Sequence, residues 1–167
     1  RANVYPTREF LARGRQKTQI KSWQHCQADN ETCSHITGYC PGVQEARIKR
    51  HNQLCELLVD EAKKKEWVVF QEPLLKDEQN DLCKPDLVFV KGDQALAVDI
   101  RVRCESKSTP LADVVAEKVK RYQHLKHQIQ ELANTNTIKF MGFPLRAHGK
   151  RYQGNYELLK ELGLSSS

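Results

Sequence analysis

The most apolar stretch of this chain, CKPDLVFVKGDQALAVDIRV, begins at Cys83 and most strongly constrains the fold. Two segments of largely apolar residues flank Gly92 and Asp93, and glycine followed by aspartate is typical of a two-residue hairpin turn. The pattern predicts one strand over about residues 86–91 and a second over about residues 94–103. The chain is therefore expected to build a sheet around this hairpin.

An aspartate stands near each end of the predicted hairpin. If Gly92 and Asp93 form the turn, Asp86 faces Asp99 directly across the two strands, on one face of the sheet. Directly opposed Cβ atoms lie about 4.5–5.5 Å apart, and like charges at that distance repel each other. A divalent cation such as Mg²⁺ or Mn²⁺ would stabilise both carboxylates, because it prefers oxygen ligands.

A purely structural interpretation of the two aspartates is also open. In that interpretation Asp86 only begins a strand after Pro85, and Asp99 pairs with Arg101, two residues further along the same face. A shift of one residue in the turn would likewise break the pairing.

Length and charge narrow the class of protein. The 167 residues predict a single domain with one core, and 27 Lys and Arg against 21 Asp and Glu give a net charge of +6. A basic surface favours a polyanion such as nucleic acid as partner. The sequence shows neither a membrane-spanning run nor a signal-peptide layout, so we expect a soluble, non-secreted chain whose six cysteines are reduced, some of them bound to metal.

Periodicity predicts the remaining elements. A helical pattern over residues 44–66 with Ile48 on its apolar stripe precedes a short strand over 67–70, and a polar loop over 76–81 leads to the hairpin. A long helix begins near Pro110, a strand covers 137–143, and a closing helix stops at Gly163. The predicted fold is α/β, with the core order α-β-β-β-α-β and a mixed sheet flanked by helices.

Three parts are predicted along the chain: a basic arm over residues 1–22, a Cys-rich segment over 23–43 and an α/β domain over 44–167. The arm is either a solvated tail or a strap that follows phosphates. The candidate nucleic-acid-binding residues share a positive charge, and they are Arg8, Arg13, Arg15, Lys17, Lys21, Arg47, Lys49, Arg50, Lys120 and Arg121.

Lys118 interrupts the apolar stripe of the long helix, three residues after Val115 and four before Tyr122. A lone lysine in such a place often extends its ammonium group to solvent. Near two metal-binding carboxylates, the ammonium would instead stabilise the charge that grows on a cleaved phosphate.

These residues support a resemblance to a known family. The motif KPD at residues 84–86, followed by Asp99 in VDIRV within an α-β-β-β-α-β order, resembles the PD-(D/E)xK nuclease superfamily. In that superfamily the lysine usually stands two residues after the second acid, where this chain has Arg101. The resemblance therefore implies that the lysine has moved to the next helix, as Lys118 in EKVKRY.

A longer series of motifs narrows the resemblance. YPTREFLARGR, ETCSHITGYC, RHNQLCELL, KPDLVFV, VDIRVRCE, EKVKRY and GNYELLKELGLS resemble the C-terminal region of the R-two clade of site-specific non-LTR retrotransposon polyproteins. In that family a zinc knuckle precedes a restriction-like endonuclease. The resemblance implies nicking of a ribosomal RNA gene site in the nucleolar DNA, so that the cut end primes reverse transcription.

The family's knuckle has four ligands, in the order Cys, Cys, His and Cys. Here Cys26, His35 and Cys40 match the last three, and the first position falls on Trp23. Because a structural zinc site normally has four ligands, Cys33 or His25 is a candidate substitute. The alternative is a weakened or lost zinc site.

The leading hypothesis is a Mg²⁺-dependent DNA endonuclease in which Asp86 and Asp99 hold the metal and Lys118 stabilises the transition state. Glu72 or Glu56 would complete the metal site, and Tyr122 would contact a phosphate or belong to the core. The implied partners are target DNA, the element RNA and the reverse-transcriptase domain of the same polyprotein, in the nucleus, with no membrane. Two alternatives stay open: a nucleic-acid-binding module of the same fold without cleavage, and a junction-resolving nuclease.

Overall fold

The computed structural model describes residues 25–26, 28–76, 80–103, 111–146 and 152–164. Its helices are α1 (Cys33–Gly38), α2 (Gln44–Lys63), α3 (Leu111–Tyr122), α4 (Lys126–Ala133) and α5 (Asn155–Glu161), with 3₁₀ turns at Pro41–Val43 and Gln123–Leu125. Its strands are β1 (Val68–Gln71), β2 (Leu75–Lys76), β3 (Leu82–Cys83), β4 (Leu87–Lys91), β5 (Gln94–Arg103) and β6 (Thr137–Arg146).

Four strands form a mixed sheet in the order β1-β4-β5-β6. The β1–β4 and β4–β5 pairs are antiparallel, whereas β5 and β6 are parallel. A parallel pair requires a crossover, and α3 and α4 lie in the segment between these two strands. The predicted mixed α/β architecture is thus confirmed.

The hairpin forms with the predicted register. Leu87 pairs with Val98 and Lys91 with Gln94, which makes Gly92 and Asp93 the turn. Gly92 has a φ of +58°, a conformation that glycine adopts without the steric cost of a Cβ atom. The turn residues therefore fix which positions of β4 and β5 face each other.

The core has two layers, one on each face of the sheet. On one face, α2 and α5 cover Leu87, Phe89 and their neighbours on β5. On the other face, α4, Tyr122 and the 3₁₀ turn before α4 cover Val88 and Ala97. Alternate residues of β4 and β5 thus enter opposite layers, as expected for strands buried on both faces.

Helix α2 buries one stripe of its surface, formed by Cys55, Leu58, Val59 and Ala62. Ile48, predicted to lie on this stripe, is 51% exposed and belongs to the outer surface. After the helix ends at Lys63, the Trp67 main-chain N–H donates to the Ala62 carbonyl oxygen at 3.2 Å, which satisfies a carbonyl group of the last turn. The Trp67 side chain packs in the core layer that contains Leu87 and Phe89, and β1 begins at the next residue.

Two elements differ from the prediction. The helix expected from residue 110 onward is divided into α3 and α4 by the 3₁₀ turn, and the β2–β3 ribbon, which was not predicted, flanks the expected polar loop. The ribbon is attached to α4 because the Lys76 main-chain N–H donates to Gln128 Oε1 at 2.9 Å, and the Gln128 amide donates back to the Lys76 carbonyl.

Within the Cys-rich segment, His25 packs closely against the 3₁₀ turn that precedes α2. A Cβ atom at Gly42 would lie 2.5 Å from the His25 carbonyl oxygen, so this approach requires glycine. No helix in the described part of the chain is long and apolar enough to span a bilayer.

Candidate functional site

The candidate site lies where β4 begins and β5 continues towards its carboxyl end. The hairpin register carries Asp86 to the position just before β4, across from Asp99 on β5. Asp99 in turn pairs with Gly142 on the parallel strand β6. The sheet therefore brings the two predicted aspartates to one end of adjacent strands.

The Asp86 carboxylate contacts two groups of different kinds. Its Oδ2 accepts a hydrogen bond from the Ile100 main-chain N–H at 2.5 Å. Its Oδ1 lies 3.4 Å from Nε2 of His51 on α2, and both side chains are partly exposed, 28% for His51 and 18% for Asp86. Both carboxylate oxygens are thus oriented by neighbouring groups.

Asp99 is oriented from the other layer. The Tyr122 hydroxyl, at the end of α3, lies 3.3 Å from Asp99 Oδ1 and also 3.3 Å from the Lys84 carbonyl oxygen. Tyr122 is 9% exposed and belongs to the layer that includes α4. Its ring is therefore core, as one of the two predictions for it stated, while its hydroxyl reaches the candidate site.

The prediction that Asp86 and Asp99 face each other on one side of the sheet is wrong for the Asp86 side chain. Its side-chain partner His51 belongs to α2, whereas the side-chain partner of Asp99, Tyr122, lies on the opposite face. The physical reason is that the β4–β5 ladder ends at Leu87. The Ile100 N–H lies beyond that end, and the Asp86 carboxylate turns to accept it.

A cleft of about 260 Å³ opens beside Asp86 on the α2 side of the sheet, and Asn52, Cys55, Glu56, Gln71, Glu72 and Asp86 line it. Glu72 follows β1 with a φ of +44°, and its main-chain N–H donates to the Asp86 carbonyl oxygen at 2.9 Å. The two glutamates predicted as accessory metal ligands thus share one cleft with Asp86. Carboxylates in such a cleft are suitable ligands for a hard cation.

His51 is a site residue that the sequence prediction missed. Its imidazole has Asp86 on one side and Cys55 Sγ at 3.5 Å on another, both near Nε2. The hydrogen bond with Asp86, and then that with Cys55, raises the pKa of His51 to about 10. The available signal was the spacing in RHNQLCELL, which places His51 one helical turn before Cys55 of the buried stripe.

The structure locates the other predicted catalytic residues only in part. Lys118 belongs to α3, one turn before Tyr122, and its side chain lies outside the described atoms, as does that of Arg121. Arg101 is half-buried on β5, and Lys120 is exposed on α3. The basic arm lies outside the described residues, so its predicted members, Arg8, Arg13, Arg15, Lys17 and Lys21, stay a prediction.

A second cluster of candidate ligands lies in the Cys-rich segment. Cys26, His35 and Cys40 place their ligand atoms within 4.8 Å of one another, and they are the group with this spacing in the described ranges. His35 and Cys40 are buried. Cys33, predicted as a substitute fourth ligand, is not a member of the group.

Two predicted nucleic-acid-binding arginines have another role in the structure. Arg47 donates to the carbonyl oxygens of Gly38 and Cys40, and Arg50 donates to that of Thr37 at 3.4 Å. Both are half-buried, whereas Lys49 between them is exposed. The arginines therefore attach the Cys-rich segment to α2, because the last carbonyl groups of α1 need donors.

We expect Arg47→Gln and Lys49→Gln, which remove the same charge, to affect different properties, the first stability and the second DNA binding. Arg47→Gln should lower the free energy of unfolding by about 1 kcal/mol, since two carbonyl groups, one of them partly buried, lose a charged donor. Lys49→Gln should leave stability unchanged and reduce the salt dependence of DNA binding by about one phosphate contact. Urea unfolding and DNA titrations at several salt concentrations measure both. Equal loss of salt dependence in the two variants would contradict the assignment.

Comparison with known proteins identifies several relatives of this chain. No protein-family model matches it. The retrovirus-related Pol polyprotein from type-1 retrotransposable element R2 of Popillia japonica is 28% identical over 167 residues, which cover 99% of this chain and 34% of the relative. The Bradysia coprophila protein of the same name is 28% identical over 170 residues, which cover 99% of this chain and 19% of the relative.

A third relative comes from a type-2 element. The retrovirus-related Pol polyprotein of R2DM from Drosophila melanogaster is 30% identical over 122 residues, which cover 73% of this chain and 11% of the relative. The chain spans about a third or less of the length of these three relatives. The homologues of this chain are therefore Pol polyproteins of R2 retrotransposable elements, and the resemblance predicted from the ordered motifs is confirmed.

Proposed function

We propose that this chain is a metal-dependent DNA endonuclease with a PD-(D/E)xK core, acting within a larger R2 polyprotein. The observation that carries the proposal is the hairpin register, which brings Asp86 and Asp99 to the same end of neighbouring strands. Strands β1, β4, β5 and β6 with α2 and α3 follow the order α-β-β-β-α-β, and this order supports such a core.

The donor atoms at this end of the sheet suit Mg²⁺ or Mn²⁺. Asp86 supplies carboxylate oxygens beside Glu56 and Glu72 in the cleft, and Asp99 supplies carboxylate oxygens on the opposite side of the sheet. When bound, such a cation activates water and stabilises negative charge on phosphate. Asp86 and Asp99 would hold it, the Tyr122 hydroxyl would orient Asp99, and Lys118 would neutralise charge on the cleaved phosphate.

The orientation of Asp86 sets a condition on this function. Because Asp86 Oδ1 faces His51 while Asp99 faces the opposite layer, binding one cation between them requires Asp86 to turn away from His51. The contact with the Ile100 N–H is made by the other oxygen of the same carboxylate, so it would shift in the same movement. Such a turn changes the side-chain conformation of Asp86 and leaves the pairing of β4 with β5 in place.

In the larger polyprotein, we propose that the nick exposes a DNA end from which the reverse-transcriptase domain copies the element RNA. The target would be a ribosomal RNA gene site in the nucleus. The net charge of +6 supports contact with nucleic acid. Exposed lysines such as Lys49 and Lys120 would contact phosphates.

A second candidate function is nucleic-acid binding without cleavage. It is favoured by the pairing of Asp86 with His51, which already neutralises the carboxylate without a metal. A junction-resolving nuclease would use the same acids on branched DNA.

The deciding experiment is nicking of supercoiled plasmid with Mg²⁺ or Mn²⁺. We expect the chain to nick, Asp99→Ala to lose activity, and Asp60→Ala, the same change at an exposed position of α2, to keep it. Equal product from the chain and from Asp99→Ala would contradict the endonuclease hypothesis. Nucleic-acid binding without cleavage would then be the remaining function. Faster cleavage of a four-way junction than of linear duplex would select the resolving nuclease.

A further inference from the structure

The cluster of Cys26, His35 and Cys40 differs in ligand number from the four-ligand knuckle that it resembles. Its two sulfur atoms and one imidazole lie within 4.8 Å of one another, with Cys26 Sγ 3.0 Å from His35 Nε2. We infer that a Zn²⁺-class ion binds these three side chains, that no other residue in the described ranges supplies a ligand, and that the fourth position takes an exchangeable small ligand.

Two of the three ligand residues, His35 and Cys40, are held in place by neighbouring groups before any ion binds. His35 lies in the first turn of α1, where its N–H donates to Thr32 Oγ1 at 3.0 Å, and its ring packs edge-on against Tyr39 at 4.8 Å. The Cys40 N–H donates to the His35 carbonyl oxygen at 3.0 Å. Such fixed ligands lose little conformational freedom on binding a metal.

The helix geometry explains why Cys33 does not complete the set. Cys33 and His35 are two residues apart in α1, and side chains at that spacing do not face each other. His25, next to Cys26, has its main chain packed against Gly42. Neither Cys33 nor His25 places a ligand atom within 4.8 Å of all three members of the cluster.

The family position for the fourth ligand, three residues before Cys26, is Trp23. Indole has no lone pair suited to bind a metal, since its nitrogen is only a donor. Thiolate and imidazole ligands select zinc-class ions, and a zinc site with three protein ligands accepts a solvent-derived or other small ligand. The expected small ligands are imidazole and thiols, which have the same donor atoms as the cluster.

Cobalt spectroscopy on the full chain tests the inference without reference to nuclease activity. Co²⁺ should bind with a visible spectrum that contains thiolate charge-transfer bands, and adding imidazole should shift that spectrum. Cys26→Ser should weaken the charge-transfer bands, and Cys33→Ser should leave the spectrum unchanged. Trp23→Cys restores the family spacing, so it should abolish the shift with imidazole and tighten zinc binding in competition with a chelator.

Two results would overturn the inference. One is a chain that is folded by circular dichroism and binds no Co²⁺ or Zn²⁺. The other is a Co²⁺ spectrum that imidazole does not change, or that changes in Cys33→Ser, because either would show a fourth protein ligand. Both results are independent of whether the chain nicks DNA, so the proposed endonuclease can fail while the three-ligand site stands.

Discussion

Asp86→Ala should abolish metal-dependent nicking and also destabilise the fold. Loss of a metal ligand removes several kcal/mol of transition-state stabilisation, which corresponds to a rate decrease of about 100-fold or more. The substitution also removes the acceptor of the Ile100 N–H and the partner of His51. Because both side chains are partly exposed, the charge pair contributes little, and we expect a loss of about 2 kcal/mol, mainly from the unpaired N–H.

Asp86→Asn separates these two effects. The amide keeps an oxygen acceptor for the Ile100 N–H at nearly the same volume, but it has no negative charge for a cation. We therefore expect nicking to be lost and most of the stability to be kept. Plasmid nicking and urea unfolding on the same preparations measure the two quantities. If Asp86→Ala unfolds earlier but nicks like the original chain, Asp86 serves only the strand end.

The hairpin was predictable because its determinants are local. Gly92 supplies the positive φ that the turn needs, the largely apolar residues on either side predict two strands, and the two-residue turn fixes their pairing. One turn of two residues therefore predicted the positions of Asp86 and Asp99 relative to each other along the strands.

The orientation of the Asp86 side chain was not predictable in the same way. It depends on where the β4–β5 ladder ends and on His51, which is far from Asp86 in sequence and comes close only because α2 packs on the sheet. No pattern within residues 83–102 contains that information. The Ile100 N–H lies beyond the last β4–β5 pair, and its hydrogen bond to the Asp86 carboxylate orients that side chain.

The sequence also does not show which contacts the basic residues of α2 make within the fold. Arg47, Lys49 and Arg50 form one basic run, yet the two arginines point to carbonyl groups of the Cys-rich segment and the lysine points to solvent. Arginine presents several donors in a rigid plane, which suits it for attaching chain ends. Helical periodicity places these side chains on different faces, but only the packing shows what each face meets.

The β2–β3 ribbon escaped prediction because its strands have two residues each, too few to show alternation. Its anchor is Gln128, which pairs with both main-chain groups of Lys76 across a long sequence separation. The 3₁₀ turn at Gln123–Leu125 divides the predicted helix, but Leu125 in this turn stays buried. The apolar pattern therefore continues across the turn, and the sequence does not show where the helix is interrupted.

The largest effect on stability should come from Phe89→Ala. Phe89 is fully buried in the middle of β4, and its ring meets Trp67 edge-to-face with centroids 6.5 Å apart. Truncating a buried phenylalanine removes its apolar contacts and leaves a cavity, which costs about 3–5 kcal/mol. Domains of this size have a free energy of unfolding of roughly 5–15 kcal/mol, so the loss is a large part of the total.

Leu57→Ala is the matched control, because Leu57 lies on α2 and is 61% exposed. Its truncation should change the free energy of unfolding by less than about 0.5 kcal/mol. Trp67 packs on Phe89, so its fluorescence should report the loss of the core during urea unfolding. A Phe89→Ala midpoint close to that of Leu57→Ala would contradict the two-layer core. A large loss with Leu57→Ala would instead mean that the outer face of α2 is covered in solution, which would make that face an interface.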